Sequence, residues 1–379
     1  MTEGKREKLR RKSRILVAPL DWGLGHATRC IPIIKELLEN DCDVWLAGEG
    51  DQEALLRSEF PELSFLSLAG YKVDYSKTSK GFLWKLLMQM PRILSSIRTE
   101  HRWLKRAMKV HEFDAVISDN RFGLYNSRVP SIFITHQLTI KSPLGKWSEG
   151  ILQKWNYRYI DRFRECWVPD HIGENNLAGM LSHPAVKPHV ALKYIDPLSR
   201  FEKKDQQEMK GQLLFILSGP EPQRTILENK IINEVSHYPG TAAIARGLPS
   251  SQSVIPSTGM IKFYNHLSAK ELNDEIEKAD WVISRSGYST IMDLAKLQKK
   301  SILIPTPGQT EQEYLAKNLS EKGIAFSVGQ KEFSLNRILE EAKKFNYRFP
   351  SLGNPDGLQI AVRRFLDSIT ATRQEQTIR

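Results

Sequence analysis

The sequence predicts an α/β protein with two successive domains, each built on a parallel sheet, that face each other across a central cleft. Three observations predict this class. The chain has 379 residues, which suits two domains of ordinary size better than one. Short β-branched runs alternate with helical stretches, as in parallel sheets flanked by helices. The same alternation starts again in the second half, so each half is expected to form its own sheet.

The domain boundaries follow from composition. Proline and mixed charge mark a linker, and an Asn-Pro-Asp-Gly turn precedes the last apolar helix pattern. The predicted order is a flexible basic arm at 1–12, an N-terminal domain at 13–190, a linker at 191–205, a C-terminal domain at 206–350, and a C-terminal helix and tail at 351–379.

Each half contains four clear strand signals, which are short runs of β-branched and other apolar residues. In the first half they lie at 14–18, 44–47, 115–117 and 131–134. In the second half they lie at 213–217, 242–245, 281–283 and 301–304. Helical patterns separate them, which predicts that the strands of each half run parallel.

The composition limits the kinds of partner and site. A formal net charge of +11 favours an acidic partner. The three cysteines (Cys30, Cys42 and Cys166) lack the spacing of a zinc site and indicate a reducing compartment. No apolar run approaches the about 20 residues that cross a bilayer, and the basic start precedes too short an apolar run for a signal peptide. We therefore expect a cytoplasmic protein without a bound metal.

The segment 77–109 stands apart because nine basic residues accompany a single acid, Glu100. Apolar residues recur in it at helical spacing, and Pro91 is expected to open a second helix. Such a basic amphipathic helix can lie on an anionic membrane surface, at about 1 kcal/mol per basic residue. It can equally pack its apolar stripe on the domain core and leave a solvated basic face. The sequence leaves both alternatives open.

A candidate anion site follows strand 281–283. Ser286 or Ser289 can cap the next helix, and Gly287 lets a ligand approach the backbone. The N–H groups of a helix start favour a diphosphate, and Arg285 can add a charged partner. Asp293 lies seven residues after Ser286, on the same helix face about 10 Å along, where its carboxylate can accept two ribose hydroxyls.

The loop after strand 301–304 carries polar side chains. Two prolines and a glycine make a rigid turn at the carboxyl end of a strand, where open α/β sheets bind ligands. Gln309, Gln312 and Glu313 follow it and suit sugar hydroxyls.

These residues resemble the donor site of glycosyltransferase family 28. The similarity covers about 263–328 and depends on Arg285-Ser286-Gly287, on Asp293, and on the Gln312-Glu313-Tyr314 block. It implies two Rossmann-like domains in the GT-B arrangement and an inverting transfer from a UDP-sugar without metal or cofactor. The peptidoglycan enzyme of that family has a second glutamine at the position of Glu313.

The resemblance also implies roles for single residues. Asp293 would hold the ribose, Gln312 would contact the sugar, and Ser286 and Gly287 would contact the diphosphate. Phe263 begins a segment placed where the family reads the uracil through backbone atoms. We also assign Ser218 and Gly219, after strand 213–217, to the donor side.

The N-terminal counterpart is the turn of Gly23 and Gly25, which brings backbone close to a ligand and ends in His26. A histidine at this place can act as the general base or contact phosphate. Asp119, at the end of another strand, is the second candidate base. His136 follows strand 131–134 at the same edge and is assigned to the acceptor side.

Other signals favour different functions less well. Asp41-Cys42-Asp43 matches a manganese motif of another glycosyltransferase fold but lies at the opposite edge of the sheet, as a solvated turn. The glycine turn lacks the third glycine of the dinucleotide fingerprint, although Glu49 follows at a suitable distance. No stacking-aromatic module indicates RNA. We therefore expect a glycosyltransferase with a UDP-sugar as co-substrate and an acceptor hydroxyl that can belong to a lipid-linked molecule or a glycolipid. An anionic membrane surface is expected as a further partner through 77–109, and no nucleic acid is expected. A nonhydrolysing nucleotide-sugar epimerase and a noncatalytic nucleotide-sugar-binding protein are the alternatives.

Overall fold

Two parallel sheets organise the protein. The computed structural model describes residues 11–71, 79–142, 145–204, 206–249, 251–350 and 356–378, without the side chains of 79–90 and 375–378. The first sheet has seven strands and the second has six. All strand pairs within them are parallel, so the predicted fold class is confirmed.

The first sheet is formed by residues 14–194. Its strands are β1 (Arg14–Pro19), β2 (Asp43–Gly48), β3 (Ser64–Ser67), β4 (Ala115–Asp119), β5 (Ser131–Ile134), β6 (Glu165–Val168) and β7 (Ala191–Tyr194). The helices between them are α1 (Leu24–Glu39), α2 (Asp51–Glu59), α3 (Ser79–His111) and α4 (Lys146–Ile160), with a 3-10 turn at Gly179–Leu181.

The strand order of this sheet is β3-β2-β1-β4-β5-β6-β7. The order reverses between β1 and β4, which opens a crevice at their carboxyl ends. Pro19 pairs with Asp119, so the two strands end level with each other. The loop after β1 and the side chain that ends β4 are therefore brought to one place.

The second sheet repeats this pattern with the order β10-β9-β8-β11-β12-β13. Its strands are β8 (Met209–Ile216), β9 (Thr241–Ala245), β10 (Ile261–Tyr264), β11 (Ala279–Ser284), β12 (Ser301–Leu303) and β13 (Phe326–Ser327). Its helices are α5 (Gln223–Val235), α6 (Ala269–Lys278), α7 (Tyr288–Leu297), α8 (Thr310–Glu321) and α9 (Leu335–Lys344). The reversal between β8 and β11 places a second crevice opposite the first.

The chain crosses between the domains twice. Strand β7 belongs to the first sheet although it falls within the range 191–205 that we predicted as linker. The last helix, α10 (Gly357–Ile378), packs against the N-terminal domain. Phe365 meets Trp167 edge to face at 5.6 Å, and Arg373 forms a 2.5 Å ion pair with Asp114.

The basic segment forms one helix. Pro91 lies inside α3 and does not open a second helix, so that prediction is wrong. Ile93, Ile97 and Leu104 are buried against the N-terminal domain core, as in the packing alternative. The basic side chains from Arg92 to Lys109 are exposed, whereas Lys77 and the side chains up to residue 90 lie outside the described part.

Glu100, the single acid of this segment, is a structural residue. It is buried and forms an ion pair of 2.7 Å with Arg121, which is also buried. Tyr71 donates a 2.6 Å hydrogen bond to the same carboxylate. Arg121 in turn donates to the carbonyl of Pro19 at the end of β1. This network ties helix α3 to the carboxyl end of strand β1. Among the described residues, no helix is long and apolar enough to cross a membrane.

Candidate functional site

The carboxyl edges of the two sheets meet in a closed cleft. Ser289, in the first turn of α7, donates a 2.7 Å hydrogen bond to the carbonyl of Gly25. Tyr288 donates one of 2.8 Å to the carbonyl of Pro169. Thr310, at the start of α8, donates one of 2.9 Å to the carbonyl of Lys141. The two predicted halves of the site therefore touch directly.

The glycine turn depends on its two glycines. Gly23 has φ +87°, in the region that side chains rarely adopt. A Cβ atom on Gly25 would lie 2.9 Å from Oγ of Ser289, so a side chain there would displace the hydroxyl that bonds the Gly25 carbonyl across the cleft. The buried Gln52 amide donates to the carbonyls of Leu20 and Gly23 and holds the turn. Nothing in the sequence pattern marks Gln52 for this role.

The structure brings the two candidate bases, His26 and Asp119, into contact. Nδ1 of His26 lies 3.1 Å from Oδ1 of Asp119, and the histidine side chain keeps 16% of its surface exposed while Asp119 is fully buried. Burial lowers the pKa of His26, and Asp119 offsets this only in part. The imidazole is therefore neutral at pH 7. When Nδ1–H donates to Asp119, Nε2 carries the free lone pair of a general base.

Arg29 clamps Asp119 and decides between the two candidate bases. Its Nε donates to Oδ2 at 2.6 Å and its Nη2 donates to Oδ1. Burial opposes ionisation of Asp119, but Arg29 and His26 outweigh it and hold the pKa of this carboxyl below its ordinary value. Because the carboxylate is buried and surrounded by donors, its environment favours an orienting role for Asp119 over that of a general base. Sequence reasoning missed Arg29, one helical turn after His26.

His136, assigned to the acceptor side, lies in the contact between the domains. It is buried and stacks on Tyr288 with ring centroids 4.1 Å apart. Its Nδ1 is 3.2 Å from Nη1 of Arg29, and its Nε2 is 2.7 Å from Oε1 of Glu311 in the other domain. Both ring nitrogens are therefore engaged. Glu311 was also missed by sequence reasoning.

Arg285 lies buried beneath the donor edge. Its Nη1 donates to the carbonyls of Ile304 and Pro305 at 3.2 and 3.3 Å, and its Nη2 to the carbonyl of Gln223 at 2.8 Å. Among the described residues no carboxylate forms an ion pair with it. Burial lowers its pKa to about 10. The guanidinium thus holds together the loops at the carboxyl edge of the second sheet. It also places a positive charge there that no described carboxylate neutralises.

The helix start of α7 is open to an anion. Gly287 is the N-cap residue, and no side chain caps this helix, so neither Ser286 nor Ser289 has the capping role that we predicted. Oγ of Ser286 instead donates to the carbonyl of Gln312 at 2.9 Å. The first N–H groups of α7 are left available to a phosphate.

The polar loop before α8 is organised by its own side chains. Gln312 accepts from the backbone of Thr306 at 2.9 Å and donates to the side chain of Gln309 at 2.6 Å. Glu313 is exposed and accepts from the backbone of Gly308 at 2.9 Å. These bonds hold the loop in one shape at the cleft.

Asp293 is held on the inner side of α7. Ser199 of the linker donates a 2.6 Å hydrogen bond to its carboxylate. Burial raises its pKa to about 6 despite the nearby Arg200 and the Ser199 bond.

Of the remaining donor-side residues, Ser218 and Gly219 lie next to the polar loop and Phe263 lies in strand β10. Gly219, with φ +100°, comes after Ser218 at the end of β8, and its ideal Cβ lies 3.5 Å from Oγ1 of Thr306, next to the polar loop. Phe263 lies within β10, and its partly buried ring packs against the core of the C-terminal domain. The Phe263 ring therefore belongs to the core, and the role that the resemblance implies for this segment concerns its backbone atoms.

The Asp-Cys-Asp turn lies away from the cleft, as predicted. Asp41 pairs with Lys12 at 2.5 Å and Asp43 with Arg14 at 2.6 Å, at the amino edge of the sheet. In the described part of the chain, no group of three or more His, Cys, Asp or Glu side chains could hold a metal ion.

Comparison with known proteins supports both the fold and the family resemblance. Residues 256–349 match the glycosyltransferase family 28 C-terminal domain. The UDP-N-acetylglucosamine–N-acetylmuramyl-(pentapeptide) pyrophosphoryl-undecaprenol N-acetylglucosamine transferase of Exiguobacterium sibiricum is 25% identical over 87% of this chain and 90% of its own length. The enzyme of the same name from Haemophilus ducreyi is 27% identical over 38% of this chain and 42% of its own.

Solved structures show the same architecture. The glycotransferase of kitacinnamycin superposes with a TM-score of 0.60 and 14% identity, covering 96% of this chain and 97% of that one. The MurG protein of Acinetobacter baumannii gives a TM-score of 0.56 and 12% identity, covering 94% and 100%. The predicted resemblance and the GT-B fold are thereby confirmed.

Proposed function

We propose that this glycosyltransferase, whose residues 256–349 carry a family 28 C-terminal domain, moves a sugar from a UDP-sugar to an acceptor hydroxyl with inversion and without a bound metal. N-acetylglucosamine is the favoured sugar and a lipid-linked molecule the favoured acceptor, because the curated relatives are named for that transfer. The observation that carries the proposal is the 2.7 Å bond from Ser289 to Gly25. It joins the turn that holds the base to the helix start that can hold the diphosphate.

In the proposed transfer, the carboxyl edge of the N-terminal sheet activates the acceptor, and that of the C-terminal sheet stabilises the leaving diphosphate. Nε2 of His26 takes the proton of the acceptor hydroxyl as its oxygen attacks the anomeric carbon from the face opposite the diphosphate. The bond from that carbon to the diphosphate oxygen breaks, and UDP leaves with the electron pair. The N–H groups at the start of α7 and the buried charge of Arg285 stabilise the negative charge that develops.

The rest of the donor is held by polar groups around the cleft. Asp293 accepts the ribose hydroxyls, and the exposed carboxylate of Glu313 with the amides of Gln309 and Gln312 faces the sugar. The closed contacts between the domains exclude water from the anomeric carbon, which limits hydrolysis of the donor.

A thermal-shift panel of UDP, UDP-GlcNAc, UDP-glucose, GDP and NAD tests the donor. We expect a rise of several degrees with the UDP compounds, since a ligand at 100 times its Kd stabilises by about 2.7 kcal/mol. Arg285→Met should weaken the rise. No response to UDP compounds together with a rise for NAD would contradict the proposal and favour an oxidoreductase.

Turnover separates the transferase from its alternatives. UDP release should depend on an added lipid-linked acceptor. Conversion of UDP-GlcNAc to an epimer without any acceptor would indicate an epimerase. Binding of the donor with neither transfer nor slow hydrolysis would indicate a nucleotide-sugar-binding protein.

We also propose that the enzyme acts at the inner face of an anionic membrane. The exposed basic face of α3 supports this, as do Trp147 and Ile151 of α4, which are 67% and 60% exposed. The two helices are neighbours, because Ile93 and Ile97 of α3 share a cluster with Trp155 of α4. Flotation with vesicles should show binding to phosphatidylglycerol and none to phosphatidylcholine, and equal binding to both would contradict the electrostatic part.

A further inference from the structure

Glu311 reaches across the cleft from the donor loop to the N-terminal edge. It stands in the first turn of α8, between Gln309 and Gln312, whose amides face the sugar in the proposed transfer. Its Oε1 lies 2.7 Å from Nε2 of His136 in the other domain. The Glu311 side chain keeps 33% of its surface exposed, whereas that of His136 keeps 4%. The carboxylate is therefore anchored on one side and open on the other.

The second oxygen of this carboxylate can serve a ligand. In the described part of the chain, the Glu311 side chain has one hydrogen bond, and it is made by Oε1. A carboxylate offers about four acceptor positions, so Oε2 has lone pairs to spare. Burial raises the pKa of Glu311, but His136, His26 and Arg29 outweigh burial and lower this pKa below its ordinary value. Glu311 is therefore ionised at pH 7.

The His136 ring carries no charge in this arrangement. A guanidinium only donates hydrogen bonds, so Nδ1 of His136, which lies 3.2 Å from Nη1 of Arg29, must be the acceptor. The proton of the neutral ring then lies on Nε2, which donates to Glu311. His136 therefore holds the carboxylate without neutralising it.

One negative charge is then left unmatched on the side of the cleft that holds the base. Asp119 is matched by Arg29, which bonds both of its oxygens. Burial lowers the pKa of His26, so this imidazole is neutral at pH 7. Glu311 remains, and only two side chains separate it from His26, because Nη2 of Arg29 lies 2.8 Å from Nδ1 of His26. The cleft is thus negative at Glu311 and positive at Arg285.

Sugar transfer develops the charge that such a cleft can stabilise. The bond from the anomeric carbon to the diphosphate oxygen breaks and its electron pair leaves with UDP, so the anomeric carbon and the ring oxygen share a positive charge. The acceptor oxygen supplies the electron pair of the new bond, and its proton goes to Nε2 of His26. In the proposed transfer this carbon lies between His26 and the start of α7, which Ser289 joins to Gly25 at 2.7 Å. A fixed negative charge beside it stabilises the transition state more than the neutral sugar.

We propose that Glu311 is a catalytic residue whose Oε2 stabilises the positive charge on the transferred sugar ring, while His136 positions it. The proposal rests on the proposed function, because that function places the sugar between α7 and His26. A contact to a sugar hydroxyl would need an acceptor oxygen but no charge. An isosteric neutral residue at this position therefore separates the two roles.

Glu311→Gln removes the charge and keeps an amide oxygen that accepts from His136, and Glu311→Asp is a second variant that keeps the charge. The matched control is Glu321→Gln, which removes a 67% exposed carboxylate from the same helix, about 15 Å along. We expect Glu311→Gln to lower kcat about 10-fold to 100-fold, both for transfer and for the slow hydrolysis of UDP-GlcNAc without acceptor. The Kd of UDP-GlcNAc should stay within about twofold, and Glu321→Gln should change none of these values.

A cationic ligand tests the charge without turnover. An iminosugar with the configuration of N-acetylglucosamine carries a positive charge in the ring, where the proposed transition state develops it. Calorimetry in saturating UDP should show that the wild type binds this iminosugar at least about tenfold more tightly than Glu311→Gln does. Glu311→Asp should retain most of the wild-type affinity, and Glu321→Gln all of it. Equal affinity of the wild type and Glu311→Gln would overturn the proposal.

The kinetics contain three further results that would overturn it. A raised acceptor KM in Glu311→Gln with unchanged hydrolysis would make Glu311 a contact to the acceptor. A loss of UDP-GlcNAc affinity as large as the loss of kcat/KM would make it a contact to the sugar in the ground state. A lower melting temperature with wild-type kinetics would leave only the contact between the domains. A wild type that binds neither UDP nor UDP-GlcNAc would instead contradict the proposed function, whatever the behaviour of the variants.

Discussion

The two carboxyl edges that form the cleft handle charge in opposite ways. At the N-terminal edge, the Asp119 carboxylate is matched by donors on Arg29 and by Nδ1 of His26. At the C-terminal edge, the partners of Arg285 within the described part of the chain are carbonyl groups, and burial raises the pKa of Asp293 to about 6. The charged groups of the N-terminal edge therefore neutralise one another, whereas Arg285 at the C-terminal edge has no carboxylate partner among the described residues.

This difference indicates what each edge does. Groups that act on a proton need a fixed geometry before substrate arrives, and mutual pairing provides it. Groups that bind a charged donor need charge that the protein itself does not neutralise. Arg285, which has no carboxylate partner among the described residues, therefore suits a diphosphate, and Asp293, whose pKa is raised, suits a ribose. The following variants test that division.

The largest effect is expected at His26. Replacing it with Ala removes the base, so kcat should fall by about 100-fold to 10,000-fold. Donor affinity, measured by calorimetry with UDP-GlcNAc, should stay nearly unchanged because the donor groups lie on the other edge. A collapse of donor affinity in His26→Ala would mean that this histidine contacts phosphate and that the two edges share their tasks.

The next effect concerns stability. Asp119→Asn leaves the buried Arg29 charge without its partner, and we expect a loss of about 3–5 kcal/mol in the free energy of unfolding. Asp43→Asn breaks an ion pair with Arg14 whose side chains are 36% and 33% exposed, and it should cost under about 1 kcal/mol. Urea denaturation of both variants measures this. Equal losses would show that the N-terminal edge is not held by its buried pair.

The smallest effect is expected at Asp293, where replacement should stabilise the protein instead of destabilising it. The folded pKa of Asp293, about 6, lies above the ordinary 3.8, so its ionisation costs stability as pH rises between these values. Asp293→Asn should therefore raise the melting temperature at pH 8 by a few degrees, and the gain should vanish below about pH 4. Donor affinity should fall about tenfold in the same variant.

Wild-type donor affinity should weaken as pH falls below about 6, when Asp293 takes up a proton. Titration calorimetry at pH 5 and pH 8 measures this for the wild type and for Asp293→Asn, whose affinity should not depend on this proton. If the variant is both less stable at pH 8 and unchanged in donor affinity, Asp293 is an ordinary structural residue.

Much of the fold could be predicted from the sequence because central strands are buried on both faces and read as continuous apolar runs. All eight strand signals became strands. Strands β3, β6, β7, β10 and β13 were missed, since each has at most four residues and several alternate polar with apolar positions. The segment that begins at Phe263 was assigned to base reading through backbone atoms for this reason, and its first two residues belong to strand β10.

The residues of the candidate site likewise fall into those that the sequence could predict and those that it could not. His26 and Asp119 were predictable because each follows a strand at the carboxyl edge, where side chains converge. Arg29 and Glu311 were not, because their roles depend on partners 90 and 175 residues distant in sequence. Local spacing carries no information about which helix start faces which histidine across a closed cleft.

The double crossing of the chain has a mechanical consequence. The linker carboxylate of Asp196 accepts a 2.9 Å hydrogen bond from the backbone of Gly357, where α10 begins, so the outgoing and returning crossings are fastened side by side. A Cβ on Gly357 would lie 2.4 Å from that carboxylate, which shows how tightly the two segments lie. Any motion that opens the cleft must therefore move both crossings together, because they are tied to each other at Asp196 and Gly357.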